Sequence, residues 1–135
     1  MATAGYSGTP LPKKLEIKED CRVATIGAPA DFGTTLGELP PGAVVRKGVT
    51  QPRDLTIWFV TSRRQLEGGL RRIVPPRGSG SLWVAWPKKA SGVNTDVTED
   101  VLRAVILPLG LVDRKVCAID ATWSGLLFSW RRNPG

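Results

Sequence analysis

The residues of this 135-residue chain that could do chemistry are cations, hydroxyls and glycines, gathered in three short clusters. Gly27-Ala28 follows one apolar run, Thr61-Ser62-Arg63 follows a second, and Lys88 and Lys89 follow a third with Ser91 close behind. Guanidinium and ammonium groups beside hydroxyls suit a phosphate or a carboxylate, because each N–H or O–H can donate to an anionic oxygen. Gly27, Ala28, Thr61, Ser62, Arg63, Lys88, Lys89 and Ser91 are therefore the candidate ligand-binding set, and the partner they imply is an anionic small molecule. The competing reading gives the lysines only the task of keeping a loop solvated, since loops are normally polar.

Catalysis is harder to assemble. Histidine is absent, which removes the commonest general base and the commonest metal ligand. A zinc enzyme and a Ser-His-Asp hydrolase are thereby excluded. Cys21 and Cys117 lack metal-ligand spacing and read as reduced core thiols. Asp96, Glu99 and Asp100 stand where a helix should begin, with Asp96 and Glu99 spaced as a capping box, so they read as caps rather than as an acid or metal cluster. Asp120 is a lone carboxylate with no base, nucleophile or metal beside it. No catalytic residue, metal or cofactor is expected, and the balance leans away from an enzyme.

The five tryptophans divide in two. Trp58 and Trp83 lie inside apolar runs and belong to the core, whereas Trp123 and Trp130, in a terminal hairpin, are candidate interface residues for a protein partner or for self-association. The formal charge of +7 is compatible with nucleic acid as a partner. That partner is not favoured, because the excess is mild along the whole chain and a solvated surface accounts for it. The excess is highest in the segment 54–80, five cations against two carboxylates.

The elements that must position these residues alternate between strand and helix. Apolar runs predict strands at 22–26, 43–45, 54–60, 82–86, 112–119 and 126–130, the last two joined by a turn at Ser124-Gly125. One helical turn is expected near 13–17, a short helix between 31 and 39, and longer helices over 63–74 and from Asp96 to about Leu109. Glu67 is placed to pair with Arg64 and Arg71. The Gly68-Gly69 pair should soften its helix, and Gly78-Ser79-Gly80 should turn the chain. Residues 1–12 read as a flexible N-terminal segment, 13–132 as one α/β domain with a mostly parallel sheet, and 133–135 as a tail. No apolar run approaches the roughly 20 residues of a membrane span. No secretory signal pattern is seen either, so the expected location is cytoplasmic.

Three strings carry a resemblance: Leu82-Trp83-Val84-Ala85-Trp86-Pro87-Lys88-Lys89, Leu107-Pro108-Leu109-Gly110-Leu111-Val112-Asp113 and Thr122-Trp123-Ser124-Gly125-Leu126. Together with Gly5 to Leu11 and Phe59 to Ser62, they resemble an actinomycete-type bacterial family of short proteins, domain of unknown function 3052. That resemblance implies a short cytoplasmic protein and brings no catalytic residue with it. More distantly, the strand, crossover helix and terminal hairpin of the last third resemble class I methyltransferase-type Rossmann folds. Such folds imply a glycine-rich loop after the first strand and a carboxylate at the end of the second for the ribose of S-adenosylmethionine. This chain has Ile26-Gly27-Ala28-Pro29 and Val45-Arg46-Lys47 at those places. Three functions follow in order: a non-catalytic Rossmann-like binding or interaction module, a divergent S-adenosylmethionine-dependent methyltransferase, and a nucleic-acid-binding protein.

Overall fold

Six apolar segments pair into a single sheet in the computed structural model, which describes residues 9–77 and 80–131. Chain order runs α1 (Leu11–Lys14), β1 (Arg22–Ile26), α2 (Phe32–Leu36), β2 (Val44–Lys47), β3 (Leu55–Phe59), α3 (Arg63–Ile73), β4 (Ser81–Pro87), α4 (Glu99–Ile106), β5 (Leu111–Ala118) and β6 (Trp123–Trp130). The sheet order is β2-β1-β3-β4-β6-β5, with the first four strands parallel and β6 antiparallel to both β4 and β5. Residues 1–8 of the N-terminal segment, Gly78 and Ser79 of the expected turn, and the 133–135 tail lie outside the described residues. No helix among those described is long and apolar enough to cross a membrane.

Every residue of β3 is buried, as its near-continuous hydrophobicity requires of a strand covered on both faces. Leu55, Ile57 and Phe59 pack on one side with Leu15, Phe32, Leu36, Trp83 and Leu127. Trp58 packs on the other with Leu66, Ile73, Val84, Leu102, Ile106 and Phe128. The Trp83 indole is fully buried, and its Nε1 donates to the Leu15 carbonyl at 2.9 Å, pinning the turn after α1 to the sheet.

Local reading needs three corrections. Asp96 and Glu99 do not form a capping box: Thr98 is the N-cap of α4, its hydroxyl accepting from Val101 N at 3.2 Å. The carboxylate of Asp96 instead accepts from Arg63 N at 2.7 Å, supplying an acceptor to the first turn of α3 from 33 residues away. Glu67 pairs with Arg63 at 2.9 Å rather than with Arg64 or Arg71. Ser124-Gly125 is not a turn; both residues lie in β6 opposite Trp86 and Ala85. The reversal falls at Asp120, whose Oδ1 accepts from Thr122 N and Trp123 N, each at 2.8 Å. Gly125 is glycine because a Cβ there would meet Trp83 Cε3 at 3.1 Å, the close approach that an isolated strand glycine often marks.

Candidate functional site

Parallel pairing delivers the ends of β1, β2, β3 and β4 to one edge of the sheet, and the loops of all four open there. Ile26 is opposite Trp58, Phe59 is opposite Ala85, and Thr25 is opposite Lys47. Gly27-Ala28, Thr61-Ser62-Arg63 and Lys88-Lys89 therefore leave the sheet from the same side. Gly27 adopts φ 71°, and a Cβ there would meet the Phe59 carbonyl oxygen at 3.0 Å. Only glycine lets the first loop pass this close to the end of β3.

The hydroxyls of the expected cradle are engaged within the protein. Ser62 caps α3, its side chain accepting from Gln65 N at 3.0 Å, while Gln65 Oε1 accepts from Thr61 N at 2.9 Å. Thr95 Oγ1 donates to the Thr61 carbonyl at 2.6 Å. Ser91 Oγ donates to the Lys88 carbonyl at 2.6 Å and accepts from Val93 N at 3.2 Å. Arg63 faces Glu67. Lys88 and Lys89 form no ion pair among the described residues.

A recess at this edge lies one strand further out, between α2 and the end of β2. This cleft of about 240 Å³ has Phe32, Leu36 and Leu39 among its apolar lining and Ala28 and Pro29 at the first loop, with Arg46 and Lys47 among its lining residues; no carboxylate lines it. Of the sequence-derived set it contains only Ala28. Arg46 and Lys47 make no ion pair among the described residues, so their charges are available to a bound anion.

Neither cysteine is activated. Burial pushes the Cys21 and Cys117 thiols up, and both are free, which lowers their thiolate fraction. Among the described residues no three His, Cys, Asp or Glu side chains are grouped to hold a metal. The carboxylates that are perturbed belong to ion pairs. Hydrogen bonds from the Arg22 side chain and backbone hold Asp54 below the usual carboxylate range. Glu16 is opposed by burial but is still drawn down by Arg114 and Lys115. The candidate interface tryptophans are half-buried: Trp123 packs edge-on against Phe59, and Trp130 donates Nε1 to the Pro75 carbonyl at 3.0 Å beneath Arg77.

No family model and no curated protein matches the chain. Solved structures do. A SAM-dependent methyltransferase from Aquifex aeolicus aligns at TM-score 0.56 and 13% identity, over 86% of this chain and 85% of that one. A protein of the NADB-Rossmann superfamily from Streptococcus agalactiae aligns at 0.58 and 9%, over 96% and 71%. The release-factor-specific protein-(glutamine-N5) methyltransferase from Alicyclobacillus acidocaldarius aligns at 0.51 and 13%, over 89% of each. The chain has a methyltransferase-like Rossmann fold.

At such identities the likeness carries the backbone plan, and the residues must speak for the ligand. S-adenosylmethionine does not fit them well. A methyltransferase-like Rossmann fold offers the ribose hydroxyls a carboxylate at the tip of the second strand, and here that tip is Arg46-Lys47. Pro29 removes a donor from the first loop.

Proposed function

We propose that this domain binds a small anionic molecule with an apolar or aromatic body in the cleft between α2 and β2, as a binding module without a catalytic group of its own. The observation that carries the reading is the cleft itself, with Phe32, Leu36 and Leu39 for the body of the ligand and Lys47 for its charge. Ligands in open α/β sheets bind beyond the carboxyl ends of the strands, and a cation at the second strand is how this architecture accommodates a phosphate in place of a free hydroxyl. Lys88 and Lys89, with Arg63, are the second group of cations proposed along the same edge. The reading takes Cys21 and Cys117 to be reduced, and places the protein in the cytoplasm.

A second reading, a divergent S-adenosylmethionine-dependent methyltransferase, is supported by Gly27, whose positive φ and approach to Phe59 keep one tight turn after β1. Titration calorimetry separates the two. A panel of nucleoside monophosphates should contain a binder that Lys47→Glu weakens at least tenfold, about 1.4 kcal/mol. Micromolar binding of S-adenosylmethionine or its demethylated product, unchanged in Lys47→Glu, would overturn the anion reading in favour of the second. Binding of oligonucleotides that falls steeply with salt would point to nucleic acid instead.

A further inference from the structure

The seven residues between β2 and β3, 48–54, carry the chain across β1. Under this crossover lies a second cavity, of about 130 Å³. Arg22 and Ala24 of β1 and Val44 and Arg46 of β2 line it and are paired in register, so strand alternation puts all four on one face of the sheet. Thr25 and Val45, which line the α2 cleft, belong to the opposite face.

Three arginines, Arg22, Arg46 and Arg53, line this cavity, no carboxylate lines it, and Asp54 alone pairs with one of them. Asp54 accepts from Arg22 Nε at 3.1 Å and Nη2 at 2.9 Å, leaving Nη1 unused. Arg53 has no carboxylate among the described residues. Its Nε donates to Thr56 Oγ1 at 2.6 Å, and its two Nη groups to the carbonyls of Val49 at 3.3 Å and Ile73 at 2.9 Å. All three acceptors are neutral. Arg53 is half-buried, and burial pushes its pKa down. Desolvating a cation without a counter-charge is unfavourable, yet these acceptors hold the fork in a fixed orientation with N–H groups to spare. Arg46, at the other side of the cavity, is likewise without a carboxylate among the described residues.

We infer that this cavity is a phosphate site, taking inorganic phosphate or the phosphate of a small monoester between Arg46, Arg53 and Nη1 of Arg22. A phosphate suits it better than a carboxylate. The three arginines come to its lining from two strands and a loop, an arrangement suited to several oxygens around one centre rather than to the two coplanar oxygens of a carboxylate. The site does not depend on the α2 cleft: Val44 and Arg53 line only this cavity, Lys47 lines only the cleft, and Arg46 lines both.

The test uses the full chain, with inorganic phosphate and glycerol 3-phosphate as probes and chloride at matched ionic strength as the control, read by calorimetry and thermal shift. Phosphate should bind saturably and raise Tm where chloride does not. Tighter binding of the monoester would identify the esterified form as the ligand, and tighter binding of inorganic phosphate the free ion; both support the site. Val44→Glu, at an edge-strand position 40% exposed, should weaken phosphate at least tenfold without lowering the ligand-free Tm. Arg53→Lys should weaken it as well, although this variant also loosens the crossover loop, so Val44→Glu is the deciding one. Lys47→Ala should change phosphate affinity less than twofold. An unsaturable response in the parent protein, or equal affinity in Val44→Glu, overturns the site. Loss in Lys47→Ala with retention in Val44→Glu also overturns it, and moves the anion to the α2 cleft.

Discussion

Two adjacent glycines in α3 should respond to the same substitution with opposite signs. Gly68 and Gly69 both lie inside the helix Arg63–Ile73, and alanine at either should recover about 1 kcal/mol of helix propensity. At position 68 nothing stands within 4 Å of a new Cβ, so the whole gain should appear as stability. At position 69 the Cβ would come within 2.8 Å of Trp58 Cζ2, 3.2 Å of Ile73 Cδ1 and 3.3 Å of Trp58 Cη2. Trp58 is 1% exposed and sits in the core beneath α3, so it has no room to yield. Overpacking of this kind costs about 1–3 kcal/mol, which cancels or reverses the gain. The difference between Gly68→Ala and Gly69→Ala is therefore about 1–3 kcal/mol. Urea unfolding at constant m-value measures it, and a thermal scan should separate the two midpoints by several degrees. Equal stabilisation by both alanines would refute the packing of α3 on Trp58.

Other outcomes follow from the same contacts. Trp83→Phe removes the Nε1 donor of a buried hydrogen bond and leaves a void in the core; a loss of about 2–4 kcal/mol in denaturant unfolding is expected from the orphaned carbonyl and the cavity together. Asp96→Ala deprives Arg63 N of its acceptor, and about 1 kcal/mol should be lost, with faster amide exchange confined to the first turn of α3. The folded-state pKa of Asp54 is depressed by Arg22, so its pairing contributes stability above the ordinary carboxylate pKa and loses it as pH falls through the lowered value. Acid unfolding of Asp54→Asn should show less of this decline, by a modest amount because the pair is half exposed.

The elements legible in the sequence were those that local pattern suffices to build. Arg22–Ile26, the wholly buried β3 and the amphipathic α3 have the expected places, because a continuous apolar run and a 3.6-residue stripe each bury themselves in one way. Errors arose where two local signals competed. Asp96 and Thr98 can each cap a helix, and the choice was made by Arg63 N, a group distant in sequence. Ser124-Gly125 looks like a turn, but its glycine answers to the Trp83 indole across the strand pair. The true reversal did leave a signal: an aspartate two and three residues before amides that it can accept from is an Asx turn.

The α2 cleft was missed for a related reason. Phe32, Leu36 and Leu39 come from a segment that looks thin when read alone, and Arg46-Lys47 registers as the absence of a carboxylate rather than as the presence of a site. What the sequence by itself determined is the alternation of strands and helices, the mostly parallel sheet, and a chemistry without histidine, since these depend on composition and on neighbours along the chain. Tertiary structure alone decided which hydroxyls cap helices and which cations are left without carboxylates. The charges of Arg46 and Arg53 acquire meaning only where strand pairing and the 48–54 crossover bring them to one cavity, because the field at a site is set by what surrounds it in space.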